Sequence, residues 1–273
     1  MPMSPAEIAQ LEERRQARML ADVTPLVRPF AGGVMGFHEP GSWQNQACGV
    51  GLAGPVGADE IAELIEFYET RGVEPRVELS PFADETLIAG LAERGFVIRE
   101  FEQVLARELA ADEELEAALP FGRPAGLALR LLDTADMPLV ERTVEVTLRG
   151  FYPDGEIPPA MFEACVRTNL LPNVRTILAW VDGELAAAGS INLGDGVASL
   201  MGVSTEPRFR RRGIQQALIV ERLVMARAHG CVLATIGSRP GIPTERNAMR
   251  LGFSVAYTKV ILVRPGLGLA RSV

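Results

Sequence analysis

The sequence predicts an α/β chain, with α+β character, built from two diverged copies of one fold. Its 273 residues exceed the usual size of one domain and favour two domains of about 100–150 residues each. Segments with helical spacing of apolar residues alternate with β-rich segments. A stretch near the middle of the chain also matches a stretch near its end, which indicates that the two domains share an architecture.

The repeated stretch is LAERGFVIREFEQVLAREL near the middle and AMRLGFSVAYTKVILVRP near the end. Gly95 corresponds to Gly252, 157 residues later (252 − 95), and Arg107 corresponds to Arg264 at the same offset. In each copy a helical segment ends at the glycine, which can adopt the left-handed conformation that closes a helix. A β-rich segment then follows. Chance similarity between short apolar patterns is the alternative, and the match without gaps argues against it.

The first copy is expected to begin with a helix, because Ser4, Pro5 and Glu7 form a capping box with proline at the first helical position. A later helix is predicted from apolar residues on one helical face and ends at Gly72. Those apolar residues are Ile61, Leu64, Ile65 and Tyr68. The strand segment EPRVELS comes next in the sequence.

A Pro/Gly cluster at residues 120–126 (PFGRPAG) predicts the boundary between the copies. We therefore predict domains over residues 1–122 and 123–273. The second domain should open with a strand and an amphipathic helix (LALRLLDTADMPLVERTVEVTL), then a loop, and then a helix over residues 160–170. Three strands should follow (TILAWV, ELAAAGSIN and VASLMGVST), joined by turns rich in Asp and Gly.

Composition excludes several classes of function. A net charge of −8 argues against a general binder of nucleic acid or anionic membranes. Three scattered cysteines indicate reduced thiols rather than a disulfide framework, and two histidines make a His-rich metal site improbable. The chain has no apolar run of the roughly 20 residues that a transmembrane helix needs, and its start lacks the apolar core of a signal peptide. These features predict a cytoplasmic protein without a metal.

The stretch MGVSTEPRFRRRGIQQALIVERL contains a concentrated basic loop. Four arginines lie between a strand that ends near Thr205 and a long helix that begins at about Gly213; they are Arg208, Arg210, Arg211 and Arg212. A helix N-terminus presents free N–H groups and partial positive charge to phosphate oxygens. Glycine there lets a bulky pyrophosphate approach the backbone. The loop therefore suits a diphosphate, although a solvated basic face, a nucleic-acid patch or a surface for an acidic partner are alternatives.

In this setting, Pro207-x-x-Arg210-x-x-Gly213-x-Gln215 resembles the acyl-CoA motif, Arg/Gln-x-x-Gly-x-Gly/Ala, of the GNAT superfamily of N-acetyltransferases. The terminal Asn-x-x-x-x-Gly-Phe beginning at Asn247 also fits, and the resemblance covers residues 127–265. It implies that each copy has a mixed, mostly antiparallel central sheet flanked by helices. With the repeat, it implies a tandem arrangement like that of mycothiol synthase.

The resemblance also implies acetyl-CoA as co-substrate and assigns residues to it. Main-chain groups of a splayed strand would bind the pantetheine arm, and the N–H groups of the basic loop would bind the pyrophosphate. The strand from Cys231 to Ser238 would diverge and open the cleft. The implied cofactor-binding residues are Val203, Ser204, Thr205, Arg210, Arg211, Arg212, Gly213, Ile214, Gln215, Gln216 and Asn247.

Two positions depart from the family pattern. Gln215 stands where the motif usually has a small residue. Ala248 stands where the family often has a tyrosine that protonates the departing CoA thiolate. Tyr257 is a candidate proton donor, although a tyrosine on a strand is more often a core or edge aromatic. Candidates for the general base are Asp154, Glu156 and Glu206, although Asp154 before a glycine is also an ordinary turn residue.

The first copy is expected to be degenerate. Its Gly49-x-Gly51-x-x-Gly54 formally matches a dinucleotide fingerprint, but no ribose-binding acid follows in the right context. The arginine run is absent, and Asp59 and Glu60 occupy the helix start, where their carboxylates would repel a pyrophosphate. The glycines are then turn residues.

The function implied is transfer of an acetyl group from acetyl-CoA to a primary amine of a small molecule or peptide. A neutral amine attacks the thioester directly, so the enzyme supplies proximity, an oxyanion donor and a route for the ammonium proton. The alternative is a non-catalytic acyl-CoA-binding module that regulates an interaction. We expect a monomer or homodimer with no nucleic-acid or membrane partner.

Overall fold

The computed structural model describes residues 2–152 and 155–271. The helices are α1 (Pro5–Val23), α2 (Ala58–Glu69), α3 (Glu85–Glu93), α4 (Met137–Arg149), α5 (Pro159–Asn169), α6 (Ile214–Ala228) and α7 (Pro243–Arg250). The strands are β1 (Leu26–Phe30), β2 (Gly33–Phe37), β3 (Gln46–Cys48), β4 (Arg76–Leu79), β5 (Val97–Glu108), β6 (Leu127–Leu131), β7 (Val174–Val181), β8 (Glu184–Gly194), β9 (Val197–Thr205), β10 (Leu233–Ser238) and β11 (Ser254–Val263). Within this described part of the chain, no helix is long and apolar enough to span a membrane.

The chain forms two compact units. Unit 1 contains Met1–Val104 together with Val255–Val273, and unit 2 contains Leu105–Ser254. Almost all of β11, the last strand, therefore belongs to unit 1, where it pairs antiparallel with β4. The limits predicted for the two copies, 1–122 and 123–273, stay a prediction.

The two units repeat one pattern of strand pairing. In unit 1 the strand order is β1-β2-β3-β4-β11-β5. The first two neighbouring pairs are antiparallel, β3 and β4 are parallel, and β4 and β11 are antiparallel. In unit 2 the strand order is β6-β7-β8-β9-β10, followed by the last residues of β5. Here β9 and β10 are the parallel pair, and the pairs before them are antiparallel. The predicted fold, with mixed and mostly antiparallel strand pairing flanked by helices in each of two domains, is confirmed.

Equivalent glycines close equivalent helices in the two units. Gly95 after α3 has φ +81°, and Gly252 after α7 has φ +84°. Gly72 and Gly230, which follow α2 and α6, have φ +72° and +75°. A left-handed residue satisfies the last carbonyls of a helix, and glycine adopts this conformation at the lowest cost. The structure thus explains why the repeat is marked by glycines.

Helices cover both faces of the unit 2 sheet. Apolar residues of α6 and α7 pack with β9 and β10 on one face, where Leu223, Ile236 and Leu251 are buried. On the other face, α4 packs on β7 and β8 through Val140 and Leu178. This three-layer arrangement buries each amphipathic helix against the sheet.

Candidate active site

The parallel strands β9 and β10 part after Ser199, the third of the nine residues of β9. Their pairing runs from Leu233 opposite Val197 to Thr235 opposite Ser199. Beyond these residues β9 continues to Thr205 and β10 to Ser238 without forming the parallel ladder. The backbone of β9 after Ser199 is therefore available on the edge that faces the gap. This divergence is the one that the sequence resemblance implied.

A β-bulge lies in β9 at the start of this gap. The pairs on either side of it are Ser190 with Met201 and Ala188 with Ser204. Gly189 therefore lies opposite two residues, Gly202 and Val203. Gly202 has φ +57°, which side chains other than glycine rarely adopt. A bulge bends a strand and increases its local twist, so this one directs the end of β9 away from its regular path.

The loop between β9 and α6 has the backbone shape of an anion site. It contains a short 3-10 helix (Pro207–Phe209), after which Arg211 has φ +63° and Gly213 has φ +79°. Gly213 is the N-cap of α6 and has no side chain that could cap the first N–H groups of this helix. Concave loops with left-handed residues before a helix present several N–H groups to one anion. Only a proline ring, 3.5 Å away at Pro124 Cγ, is near the position of a Cβ at Gly213.

The loop arginines are exposed, and the guanidinium groups of three of them make contacts that position them. Arg210 donates from Nε to the carbonyl oxygen of Thr205 at 3.1 Å, which ties the loop to the end of β9. Arg208 forms an ion pair with Glu184 at 2.5 Å. The guanidinium of Arg212 lies over the buried ring of Phe209, 5.4 Å from its centroid. The loop therefore has an apolar anchor and a charged outer surface.

Gln215 connects the start of α6 to α7. Its amide donates to Thr244 Oγ1 at 3.2 Å and accepts from Asn247 Nδ2 at 2.5 Å. Both hydrogen-bonding ends of the larger side chain are thus occupied by α7. The Gln215 N–H remains part of the first turn of α6. The predicted cofactor residues Gln215 and Asn247 are therefore in direct contact with each other.

The other predicted cofactor residues contribute mainly backbone at this site. The side chain of Val203 packs into the core beneath α6, and Ile214 is buried there. Ser204 is buried, and a Cβ at Gly150 would lie only 2.0 Å from its hydroxyl, so Gly150 is required for this packing. Gln216 is buried in the first turn of α6. Their N–H and carbonyl groups are the parts that a ligand in the gap would meet.

The structure places the candidate acids and the tyrosine in different settings. Glu156 is exposed, and Glu206 precedes the 3-10 turn, donating its own N–H to Ala186. Asp154 lies outside the described residues. Ala248 is fully buried in the core of unit 2. Tyr257 belongs to unit 1, whereas the loop residues belong to unit 2.

Tyr257 lies in a buried polar cluster of unit 1. Its hydroxyl donates to Glu13 Oε1 at 2.7 Å. Lys259 Nζ lies 3.0 Å from the same oxygen and 3.6 Å from Glu78 Oε2. Burial, with the negative charge of Glu13, raises the pKa of Tyr257 far above its ordinary value. The hydroxyl therefore keeps its proton firmly, and its catalytic role stays a prediction.

Replacing Tyr257 with phenylalanine tests that role. We expect the free energy of unfolding to fall by about 1.5–3 kcal/mol, the typical contribution of a hydrogen bond to a charged group. We expect turnover per folded molecule to change less than twofold. Urea unfolding and initial-rate kinetics on the same preparation measure the two effects. A large loss of turnover at unchanged stability would instead support Tyr257 as the proton donor.

The equivalent helix start in unit 1 is closed to anions. The carboxylate of Glu60 accepts a hydrogen bond from the N–H of Gly57, the N-cap of α2, at 2.9 Å. Gly49, Gly51 and Gly54 all have positive φ, as expected of turn residues. The first turn of α2 therefore carries negative charge, whereas the first turn of α6 has no acidic residue.

Sequence reasoning missed one charged residue of unit 2. Arg222 of α6 is 1% exposed and lies beneath the bulge of β9. Its position, four residues after Leu218 and four before Ala226, places it on the buried face of the helix, and this spacing was an available signal. The glycines at 189 and 202 were a second signal, because isolated glycines in strands often mark bulges.

Comparisons with known proteins agree with this architecture. The acetyltransferase (GNAT) family model matches residues 141–253. The chain is similar to a GCN5-related N-acetyltransferase from Kribbella flavida, with 20% identity, a TM-score of 0.66 and 97% of each chain covered. It is also similar to a tandem GNAT protein from the clavulanic acid biosynthesis pathway, with 15% identity, a TM-score of 0.61 and 96% of each chain covered. No curated protein matches the sequence. The predicted resemblance and tandem fold are confirmed.

Proposed function

We propose that this chain, whose residues 141–253 match the acetyltransferase (GNAT) family model, transfers an acetyl group from acetyl-CoA to a primary amine of a small molecule or peptide. The observation that supports the proposal most directly is the gap between β9 and β10 beside the uncapped start of α6. A strand edge and a helix N-terminus together suit an extended amide-bearing arm that ends in a diphosphate.

The residues present fit acetyl-CoA. The N–H groups from Arg211 to Gln216 would bind the pyrophosphate, because α6 has no side-chain cap and Gly213 leaves the approach open. Main-chain groups from Val203 to Thr205 would bind the pantetheine arm. Arg210 adds charge at the junction of these two segments, since it is hydrogen-bonded to Thr205. Among the described residues no cluster of ligands could hold a metal ion.

The reaction requires few side chains. The amine nitrogen attacks the thioester carbonyl carbon, the carbon–sulfur bond breaks, and CoA leaves as the thiolate. Backbone N–H groups at the bulge of β9 would stabilise the negative charge that develops on the carbonyl oxygen. The ammonium proton passes to water or to a carboxylate such as Glu156 or Glu206, and the thiolate takes a proton from solvent. Ala248 leaves no hydroxyl at the family's usual donor position.

Ala248 also favours a second candidate function, a non-catalytic acyl-CoA-binding module. The two candidates are separated by measuring steady-state release of free CoA across a panel of primary amines, including amino acids, polyamines, aminoglycosides and peptide N-termini. We expect at least one amine to raise CoA release above the rate of spontaneous hydrolysis. Binding of CoA without release for any amine would support the binding module. Absence of both binding and release would overturn the proposal.

We expect CoA to bind at one site per chain. The uncapped helix start and basic loop occur in unit 2, whereas Glu60 caps the equivalent helix of unit 1. Titration calorimetry on the whole chain should give a stoichiometry near one. The Glu60→Gln variant is the control and should leave this value unchanged. A stoichiometry near two would show that unit 1 also binds the cofactor.

A further inference from the structure

Arg222 lies at the bulge of β9, where the two parallel strands of unit 2 part. Its Nη1 donates to the carbonyl oxygens of Ser190, at 2.9 Å, and Met201, at 3.3 Å. Its Nε donates to the carbonyl oxygen of Leu218 in its own helix at 3.0 Å. One guanidinium therefore joins α6 to β8 and β9, the two strands at the bulge. It contacts them at Ser190 and Met201, which form the regular pair next to the bulge.

The sequence provides the space that this guanidinium needs. A Cβ at Gly189 would lie 3.0 Å from Arg222 Cζ and 3.3 Å from Nε and Nη1. Gly189 is the residue that lies opposite Gly202 and Val203 across the bulge. A side chain at 189 would thus shift the guanidinium by a few tenths of an ångström and disturb its contacts with the two carbonyls. The glycine and the arginine form a matched pair at the point where the strand bends.

The contact with Met201 also sets the direction of the next N–H. The described residues contain no cis peptide bonds, and the carbonyl and N–H of a trans peptide point in opposite directions. Because the Met201 carbonyl points to Arg222 of α6, the Gly202 N–H points away from α6. The opposite face is where α4 lies, with Thr147 Cγ2 3.9 Å from the position of a Cβ at Gly202.

Among the described residues, no ion pair involves the charge of Arg222. Burial alone lowers the pKa of Arg222 to about 9, and no carboxylate among the described residues offsets this shift. The side chain is nevertheless charged at neutral pH. Its Nη2 is buried and has no hydrogen-bond partner among the described residues. Other buried arginines of this chain differ, since Arg15 and Arg107 pair with Glu12 and Glu113.

We infer that Arg222 is a positioning residue for acyl transfer. It fixes the carbonyl groups at the bulge so that the N–H groups of β9 face the thioester. Its positive charge, which no carboxylate among the described residues offsets, favours negative charge on the carbonyl oxygen of the thioester. This inference rests on the proposed function, which places the thioester beside β9. The interaction is stronger in the transition state than in the bound substrate, because the carbonyl oxygen gains charge only during the reaction. Removing Arg222 should therefore lower kcat more than cofactor affinity.

The test compares Arg222→Gln and Arg222→Lys with a control on the same helix, Arg227→Gln. Arg227 also donates to a backbone carbonyl, that of Glu113, but lies away from the bulge. For Arg222→Gln we expect kcat to fall about tenfold to a hundredfold, less than the loss of a donor that itself binds the oxyanion, with the Kd for CoA changed less than threefold. Lysine should restore part of kcat, and Arg227→Gln should keep it within twofold. Gly189→Ala, which shifts the guanidinium without removing it, is the milder variant should Arg222→Gln not fold.

Amide hydrogen exchange separates a failure of this inference from a failure of the proposed function. Residues 200–205 should exchange faster in Arg222→Gln and Gly189→Ala than in the parent and in Arg227→Gln. If the parent transfers no acetyl group to any amine, this local change still supports the positioning of the bulge by Arg222. Unchanged exchange in 200–205 would overturn the inference. Equal losses of kcat in Arg222→Gln and Arg227→Gln, or an undiminished kcat in a folded Arg222→Gln, would also overturn it.

Discussion

Replacing Gly213 with glutamate is expected to abolish CoA binding. The carboxylate would lie at the N-cap of α6, where the N–H groups otherwise face the pyrophosphate, and would repel it while itself interacting with the helix dipole. Titration calorimetry should detect no binding at millimolar CoA. The change also strains the backbone, because Gly213 has φ +79°, which costs other residues about 1–2 kcal/mol.

Gly213→Gln is the matched control, because glutamine has the same length and the same strain but no charge. We expect it to weaken CoA binding without abolishing it, and the difference between the two variants isolates the charge. Arg210→Ala should weaken binding about tenfold to a hundredfold through loss of one charge-assisted contact and of the link to Thr205. Circular dichroism must show that each variant is folded. Normal CoA binding by Gly213→Glu would mean that the phosphates do not lie at this helix.

The sequence alone was sufficient to predict those features of the fold that residues close together in the chain determine. The glycines that close α3 and α7, the capping box at Ser4 and the basic loop before α6 all follow from short-range preferences, and the structure has the helices and turns expected there. The left-handed conformation of Arg211 was not predictable in the same way, because arginine has no preference for it. The surrounding loop, held by the buried ring of Phe209, imposes it.

The assignment of β11 to unit 1 could not be predicted from its sequence. The strand segments after Gly95 and Gly252 resemble each other, so local pattern does not determine which sheet accepts which strand. The choice depends on contacts distant in sequence, such as Val260 opposite Leu79 and the polar contacts of Tyr257 and Lys259. For the same reason Tyr257, predicted from its position near the family motif, lies in unit 1.

Replacing Lys259 with methionine is expected to be the most destabilising change in unit 1. Lys259 is 1% exposed, donates to Gln16, and lies within ion-pair distance of Glu13 and Glu78. Burial by itself lowers the pKa of Lys259, but attraction to Glu13, Glu78 and Glu102 outweighs it and raises the pKa above its ordinary value. Methionine fills a similar volume without charge and leaves Glu13 buried without its ion-pair partner, whereas Glu78 keeps Arg76 at 3.6 Å. Loss of one partner of a buried ion pair typically costs about 3–5 kcal/mol.

Urea unfolding followed by circular dichroism measures this loss, with two controls. Arg264→Met removes a more exposed ion pair, with Glu69, at the end of the same strand, and should cost less than about 1 kcal/mol. Glu13→Gln combined with Lys259→Met should be more stable than Lys259→Met alone, because it removes the carboxylate that is left without its ion-pair partner. An unchanged unfolding midpoint for Lys259→Met would show that the cluster does not depend on the lysine charge. A loss for Arg264→Met as large as that for Lys259→Met would show that position on β11, rather than burial of the charge, determines the cost.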